Sequence, residues 1–99
     1  MKSDYIVNGI YTTIDDHYPY YVILNIYERH KMFKIYRFKT QNSLANQEIQ
    51  NVILENLKES NIRHFNIVKV GIRYLNNRVD GYVGHCSEEF VKKLRTIKV

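Results

Sequence analysis

Within residues 29–39 stand Arg29, Lys31, Lys34, Arg37 and Lys39, with no acid among them. From residue 32 onward the cations alternate with Met, Phe, Ile and Tyr. Phosphates need cationic donors, and bases need planar partners or side chains that read a groove edge. Asn25 and Tyr27 lie just before the cluster. Asn25, Tyr27, Arg29, Lys31, Lys34, Arg37 and Lys39 are therefore the candidate contact residues, for nucleic acid or for a protein partner. A two-stranded ribbon fits a major groove, where Arg reads guanine and Asn reads adenine. That makes Asn25, Tyr27 and Arg37 the candidate base-facing groups. The same charges also keep a strand solvated and discourage edge pairing.

Other reactive residue types lack the partners that chemistry requires. Cys86 is the single cysteine, so it has no disulfide partner within the chain, which fits a reducing compartment. It precedes an expected helix, whose N-terminus lowers a thiol pKa. No Gly-rich oxyanion loop accompanies it, and its neighbour His85 is adjacent in sequence, where side chains seldom face each other. Cys86 reads as structural. His17, His30, His64 and His85 are scattered singly, without metal-ligand spacing. Asp15-Asp16-His17 before Pro19 reads as turn chemistry. The four glycines are too widely spaced for a phosphate or dinucleotide loop. The sequence therefore predicts no catalytic residue, no metal, no cofactor and no enzyme.

The elements that must position the basic residues follow from hydrophobic periodicity. Residues 5–14 are β-rich around Asn8-Gly9, which suits a type I′ turn or a bulge. Residues 20–28 and 32–39 are the strongest strands, joined at Arg29-His30-Lys31. Setting Tyr27 opposite Phe33 places Leu24 opposite Tyr36 and Val22 opposite Phe38. One face then carries Val22, Leu24, Ile26, Tyr36 and Phe38, with Lys34 at its loop end. The other carries Tyr21, Ile23, Asn25, Tyr27, Phe33, Ile35, Arg37 and Lys39. A slip by one residue would put Arg37 and Lys39 among the apolar set, so the first register is preferred. Ile23, Phe33 and Ile35 on the second face call for a cover, either the second half of the chain or a partner.

Residues 43–59 form a helix with Ala45, Ile49, Val52, Ile53 and Leu57 on one stripe, capped by Asn42 or Ser43. Residues 65–75 form a strand with Val68, Val70, Ile72 and Tyr74 on one face, a candidate homodimer surface. Asn76-Asn77 turns the chain into a return strand over 78–84, weakened by Gly81 and Gly84. Ser87 caps a final helix over 88–97 with Phe90, Val91, Leu94 and Ile97 on its apolar side. Its acids, Glu88 and Glu89, are at the positive end, and Lys92, Lys93 and Arg95 toward the negative end. The fold class is α+β: an antiparallel sheet of about five strands with two helices packed on it, in the order β-β-β-α-β-β-α.

Ninety-nine residues with 44% hydrophobic and 25% charged side chains suit one compact domain, residues 1–99, rather than a disordered tail. Neither a membrane span nor a secretion signal is visible, which predicts a cytoplasmic protein with no membrane partner. The net charge is +5, yet residues 1–28 hold one lysine against four acids. The positive charge is thus focused on the hairpin, and a focused patch attracts phosphates. A smaller cluster, Lys92, Lys93, Arg95 and Lys98, ends the chain. Ile, Asn, Tyr and Lys dominate the composition. They share A/T-rich codons, which suits a phage, virus, plasmid or low-GC host.

Gly9-Ile10-Tyr11, Tyr21-Val22-Ile23, Ile35-Tyr36-Arg37-Phe38-Lys39-Thr40, and Ala45 with Ile49 together resemble the amino-terminal arm-binding domain of tyrosine integrases and their mobile-element relatives. The resemblance covers residues 9–57. It implies three strands followed by a helix, with the sheet face opposite that helix laid in a major groove. In that family a Gly-containing loop usually joins the second and third strands, and a small residue precedes the final Phe. This chain has Glu28-Arg29-His30-Lys31 and Tyr36 at those places. The expectation is a non-enzymatic, nucleic-acid-associated protein of a phage, virus or mobile element, acting through its basic, tyrosine-rich hairpin. Its rival is a protein–protein inhibitor of a host nucleic-acid enzyme, similar in kind to anti-CRISPR proteins. Tyr and Arg are favoured binding hot spots in either case.

Overall fold

The structure is a computed structural model that describes residues 4–98. Strands β1 (Gly9–Thr13), β2 (Tyr20–Tyr27) and β3 (Met32–Phe38) are followed by helix α1 (Asn46–Lys58). Strand β4 (Ile67–Gly71), helix α2 (Ile72–Asn76), strand β5 (Val79–His85) and helix α3 (Glu88–Arg95) complete the chain. The five strands form one sheet in the order β4-β3-β2-β1-β5, and every neighbouring pair is antiparallel. This is the α+β architecture expected, with one additional short helix.

Each sheet face carries its own core. On the first, α1 and α3 bury Ile49, Ile53, Val91 and Leu94 against Ile10, Tyr20, Val22, Leu24, Tyr36 and Phe38. Full burial of such an aliphatic side chain stabilises the fold by about 1.5–3 kcal/mol. The second face buries Tyr11, Tyr21, Ile23, Phe33, Ile35 and Val70 beneath Tyr5 and Leu75. Its cover is the segment that leaves β4 at one sheet edge, forms α2, and enters β5 at the other edge. The second half of the chain thus supplies the cover that Ile23, Phe33 and Ile35 required.

Several local expectations change. Residues 5–14 are not a hairpin: the Gly9 N–H donates to the Ile6 carbonyl at 3.1 Å with Asn8 at φ 71°. That is a turn with its left-handed residue in third position, where Asn is favoured. Residues 65–75 divide into β4 and the helical turn α2. Val68, Ile72 and Tyr74 pack against the second core, where Val70 is buried. Val68, Ile72 and Tyr74 are thus partly buried within the chain itself. The N-cap of α1 is Ala45, whose N–H donates to the Glu48 carboxylate at 2.8 Å; neither Asn42 nor Ser43 caps. Helix α1 ends with Ser60 left-handed at φ 53°, and the N–H groups of Ser60 and Asn61 donate to the carbonyls of Leu57 and Asn56. That is the Schellman arrangement.

The register of β2 on β3 is offset by two residues from the expected one: Val22 pairs with Tyr36 and Tyr20 with Phe38. A two-residue shift preserves the faces. The larger change is a bulge. Ile23 pairs with Ile35, then Asn25 pairs with Lys34, so Leu24 is the extra residue. Beyond it the faces exchange. Ile26 joins the second core beside Phe33, and Asn25 and Tyr27 move to the helix-bearing face. The Leu24 carbonyl accepts from Arg95 Nε at 2.8 Å, so α3 holds the bulge in place.

Candidate nucleic-acid interface

The bulge separates the residues that the sequence grouped. Asn25, Tyr27 and Lys34 lie on the helix-bearing face at the hairpin end of the sheet. Arg29 and Lys31 are exposed in the loop, where the Lys31 N–H donates to the Glu28 carbonyl and Lys31 is left-handed at φ 52°. Lys39 is exposed beyond the end of β3. Arg37 is half-buried on the opposite face, paired with Tyr21. Asn25, Tyr27 and Arg37 therefore do not share an outward surface. The face the resemblance would lay in a groove is closed by α2 and Tyr5.

A different basic surface forms where β3, β4 and α3 meet. Lys34 and Lys69 are direct partners across β3 and β4. Like charges placed opposite each other are destabilising. Lys34 relieves part of that repulsion by donating from Nζ to the Arg95 carbonyl at 3.3 Å, one of the orphan acceptors at the end of α3. The Lys69 ammonium lies 5.0 Å from the centre of the Tyr27 ring, a cation–π distance. Lys34, Lys69 and Lys98 line a cleft of about 340 Å³ with Ile67, Val68 and Ile97. A second cleft of about 330 Å³ adjoins it through Ile97, lined also by Asn56, Leu57, Ser60, Ile62 and Lys93.

Together the two clefts present Lys34, Lys69, Lys93 and Lys98 beside apolar side chains, with no carboxylate among the described residues of either lining. Lys93 pairs with Glu89 at 4.0 Å, and both side chains are more than half exposed. Such a pair contributes little in water. The sequence singled out Tyr27 and Lys34 as candidates and showed the terminal lysines as a separate cluster; it did not join them, and it did not single out Lys69. Lys69 is legible only once β3 and β4 are in register.

The remaining candidate chemistry is quiet. Cys86 is buried in the first core, and burial pushes its thiol up to about 11 despite a hydrogen bond from the Ser87 backbone. Such a thiol is a poor nucleophile at neutral pH. Asp15 accepts from the His17 and Tyr18 N–H groups at 2.9 and 3.3 Å, the turn chemistry its sequence implied. No cluster of potential metal ligands occurs among the described residues, and none of their helices is long and apolar enough to cross a membrane. Comparison with protein-family models, curated proteins and solved structures gives no match.

Proposed function

We propose that this protein binds single-stranded nucleic acid in the lysine groove between β4, α1 and α3, without catalysing a reaction. The observation that carries the reading is the opposed pair Lys34–Lys69, with Lys98 in the same cleft and no acid among the described residues that line it. Two ammonium groups held across a strand pair gain most from a polyanion that neutralises both. The apolar side chains of Ile67 and Ile97 in the cleft favour a single strand over a duplex. Duplex phosphates need only the charged rim, whereas an unstacked base gains from apolar and aromatic contact. Tyr27, beneath Lys69, is the planar group nearest to that role. Arg29 and Lys31, exposed in the adjoining loop, add long-range attraction.

The test is fluorescence anisotropy with labelled single-stranded DNA, RNA and duplex DNA at about 50 and 200 mM salt, a range over which several phosphate contacts change affinity by orders of magnitude. Single strands should bind more tightly than duplex, and the binding should weaken steeply with salt. Lys34→Gln with Lys69→Gln should flatten the salt slope by about 0.7 for each phosphate that is no longer neutralised. Absence of binding to all three probes at low salt would refute the reading and direct attention to a protein partner.

A further inference from the structure

We infer that the chain has a second phosphate-binding surface, formed by Arg37 and Arg78 around Tyr74 on the sheet face opposite the lysine groove, so that one molecule holds two single-stranded segments at once. The inference rests on the reading that the groove binds nucleic acid. Arg37 donates from Nε to the Phe65 carbonyl at 2.8 Å and from Nη1 to the Tyr74 hydroxyl at 2.8 Å. Its guanidinium carbon lies 4.6 Å from the centre of the Tyr18 ring. Arg78 lies 3.8 Å from the centre of the Tyr74 ring and donates from Nη1 to the Tyr74 carbonyl at 3.2 Å. One tyrosine therefore holds both arginines, one at its hydroxyl and one on its ring.

Neither guanidinium is in an ion pair with a described residue. Among the described residues the ion pairs are Lys93–Glu89 and Arg95–Glu88. The nearby Asp15 carboxylate is occupied by the His17 and Tyr18 N–H groups and the Tyr21 hydroxyl. Both guanidinium groups retain N–H donors beyond those engaged with Phe65 and Tyr74. Their positions are fixed by stacking, so little side-chain entropy remains to be lost on binding. Phosphate oxygens match this fork geometry. Phe65, joined to Arg37 through its carbonyl, is 45% exposed; its ring meets that of His64 edge to face, with centroids 5.4 Å apart, and supplies an aromatic surface for a base. Arg37 faces the second core with Tyr21, whereas Lys34 faces α3, three residues back along β3. The two surfaces thus open on opposite sides of one sheet.

The experiment uses thymidine oligonucleotides of about eight nucleotides, within the site size of one binding fold. Calorimetry gives the number bound per chain. A capture assay then asks whether a biotinylated oligonucleotide on beads retains a second, fluorescent one through the protein. The expected result is two oligonucleotides per chain and capture of the second. In Arg78→Gln, binding should fall to one per chain and capture to background, while Arg78→Lys should keep partial capture. Circular dichroism verifies that these variants fold, and the wild-type stoichiometry needs no variant. One oligonucleotide per chain, or capture that persists in Arg78→Gln, overturns the second surface and leaves the groove standing. No binding at any ratio overturns both.

Discussion

Replacing Arg37 removes hydrogen bonds to the Phe65 carbonyl and the Tyr74 hydroxyl together with the stack on Tyr18. Hydrogen bonds from a charged donor contribute about 1.5–3 kcal/mol, and a partly exposed cation–π contact about 0.5–1. Arg37→Ala should therefore destabilise the fold by about 2 kcal/mol in urea titrations, since water can replace part of what is removed. Lys39→Glu, at an exposed position, should change stability by less than about 0.5 kcal/mol. A second residue-scale prediction concerns alkaline pH. Burial pushes the Cys86 thiol up from 9.0 to about 11 and the Tyr36 hydroxyl up from 10.0 to about 12. Above the unfolded values the denatured chain releases protons that the folded chain retains. Their contribution is complete below pH 9 and is lost as pH rises through 11 and 12. The denaturation midpoint should thus fall between about pH 8 and pH 10.5, and less steeply in Cys86→Ala. An equal slope in both proteins would refute the assignment to the thiol.

At the scale of elements, periodicity revealed β2, β3, α1 and α3, because each has an apolar set with a clear period against a polar remainder. It failed at α2 for a physical reason. Val68, Val70, Ile72 and Tyr74 read as alternating strand residues, and β-branched and aromatic side chains favour strands. The helical turn forms because the chain must leave β4 at one edge of the sheet and reach β5 at the other, carrying Leu75 down onto the second core. Tertiary packing outweighs propensity there, since five residues are too few to nucleate a helix alone. The bulge at Leu24 was equally illegible. Its determinant is Arg95, far along the chain, which donates to the Leu24 carbonyl, to Asn8 Oδ1 and to Glu88. Without the bulge Asn25 and Tyr27 stay with Arg37, which is why the sequence grouped the candidate residues on one face. Arg95→Ala should leave that carbonyl and the Asn8 amide without this partner. The expected loss is about 2 kcal/mol in urea titrations, with faster amide exchange along Leu24–Tyr27 as the specific sign of a loosened bulge. Unchanged exchange in that segment would show that the bulge does not depend on α3. A glycine supports the neighbouring geometry: Gly84, at φ 154°, lies where β5 shifts register against β1, and a Cβ there would meet the Asn46 amide.

The whole molecule is one sheet between two cores, and the same strands build both. Along β2, Tyr20 and Val22 face α1 and α3, whereas Tyr21 and Ile23 face the α2 side. Along β3, Tyr36 and Phe38 serve the first core and Phe33 and Ile35 the second. Neither core can open without exposing strands that the other needs, so the two should melt together even though they share no side chain. Ile53→Ala in the first core and Leu75→Ala in the second both truncate fully buried residues. Each should cost about 2–5 kcal/mol. The expected behaviour in both variants is a single transition, followed identically by far-ultraviolet circular dichroism and by tyrosine fluorescence, with the midpoint lowered and the denaturant slope unchanged. Two separated transitions in Leu75→Ala would show that α2 and the second core form a local unit that opens on its own. That result would also bear on the arginine surface, because Tyr74 orders Arg37 and Arg78 only while α2 is in place. Under cooperative melting, the groove and the arginine surface are displayed by one rigid scaffold, and destabilising either core should weaken both surfaces together.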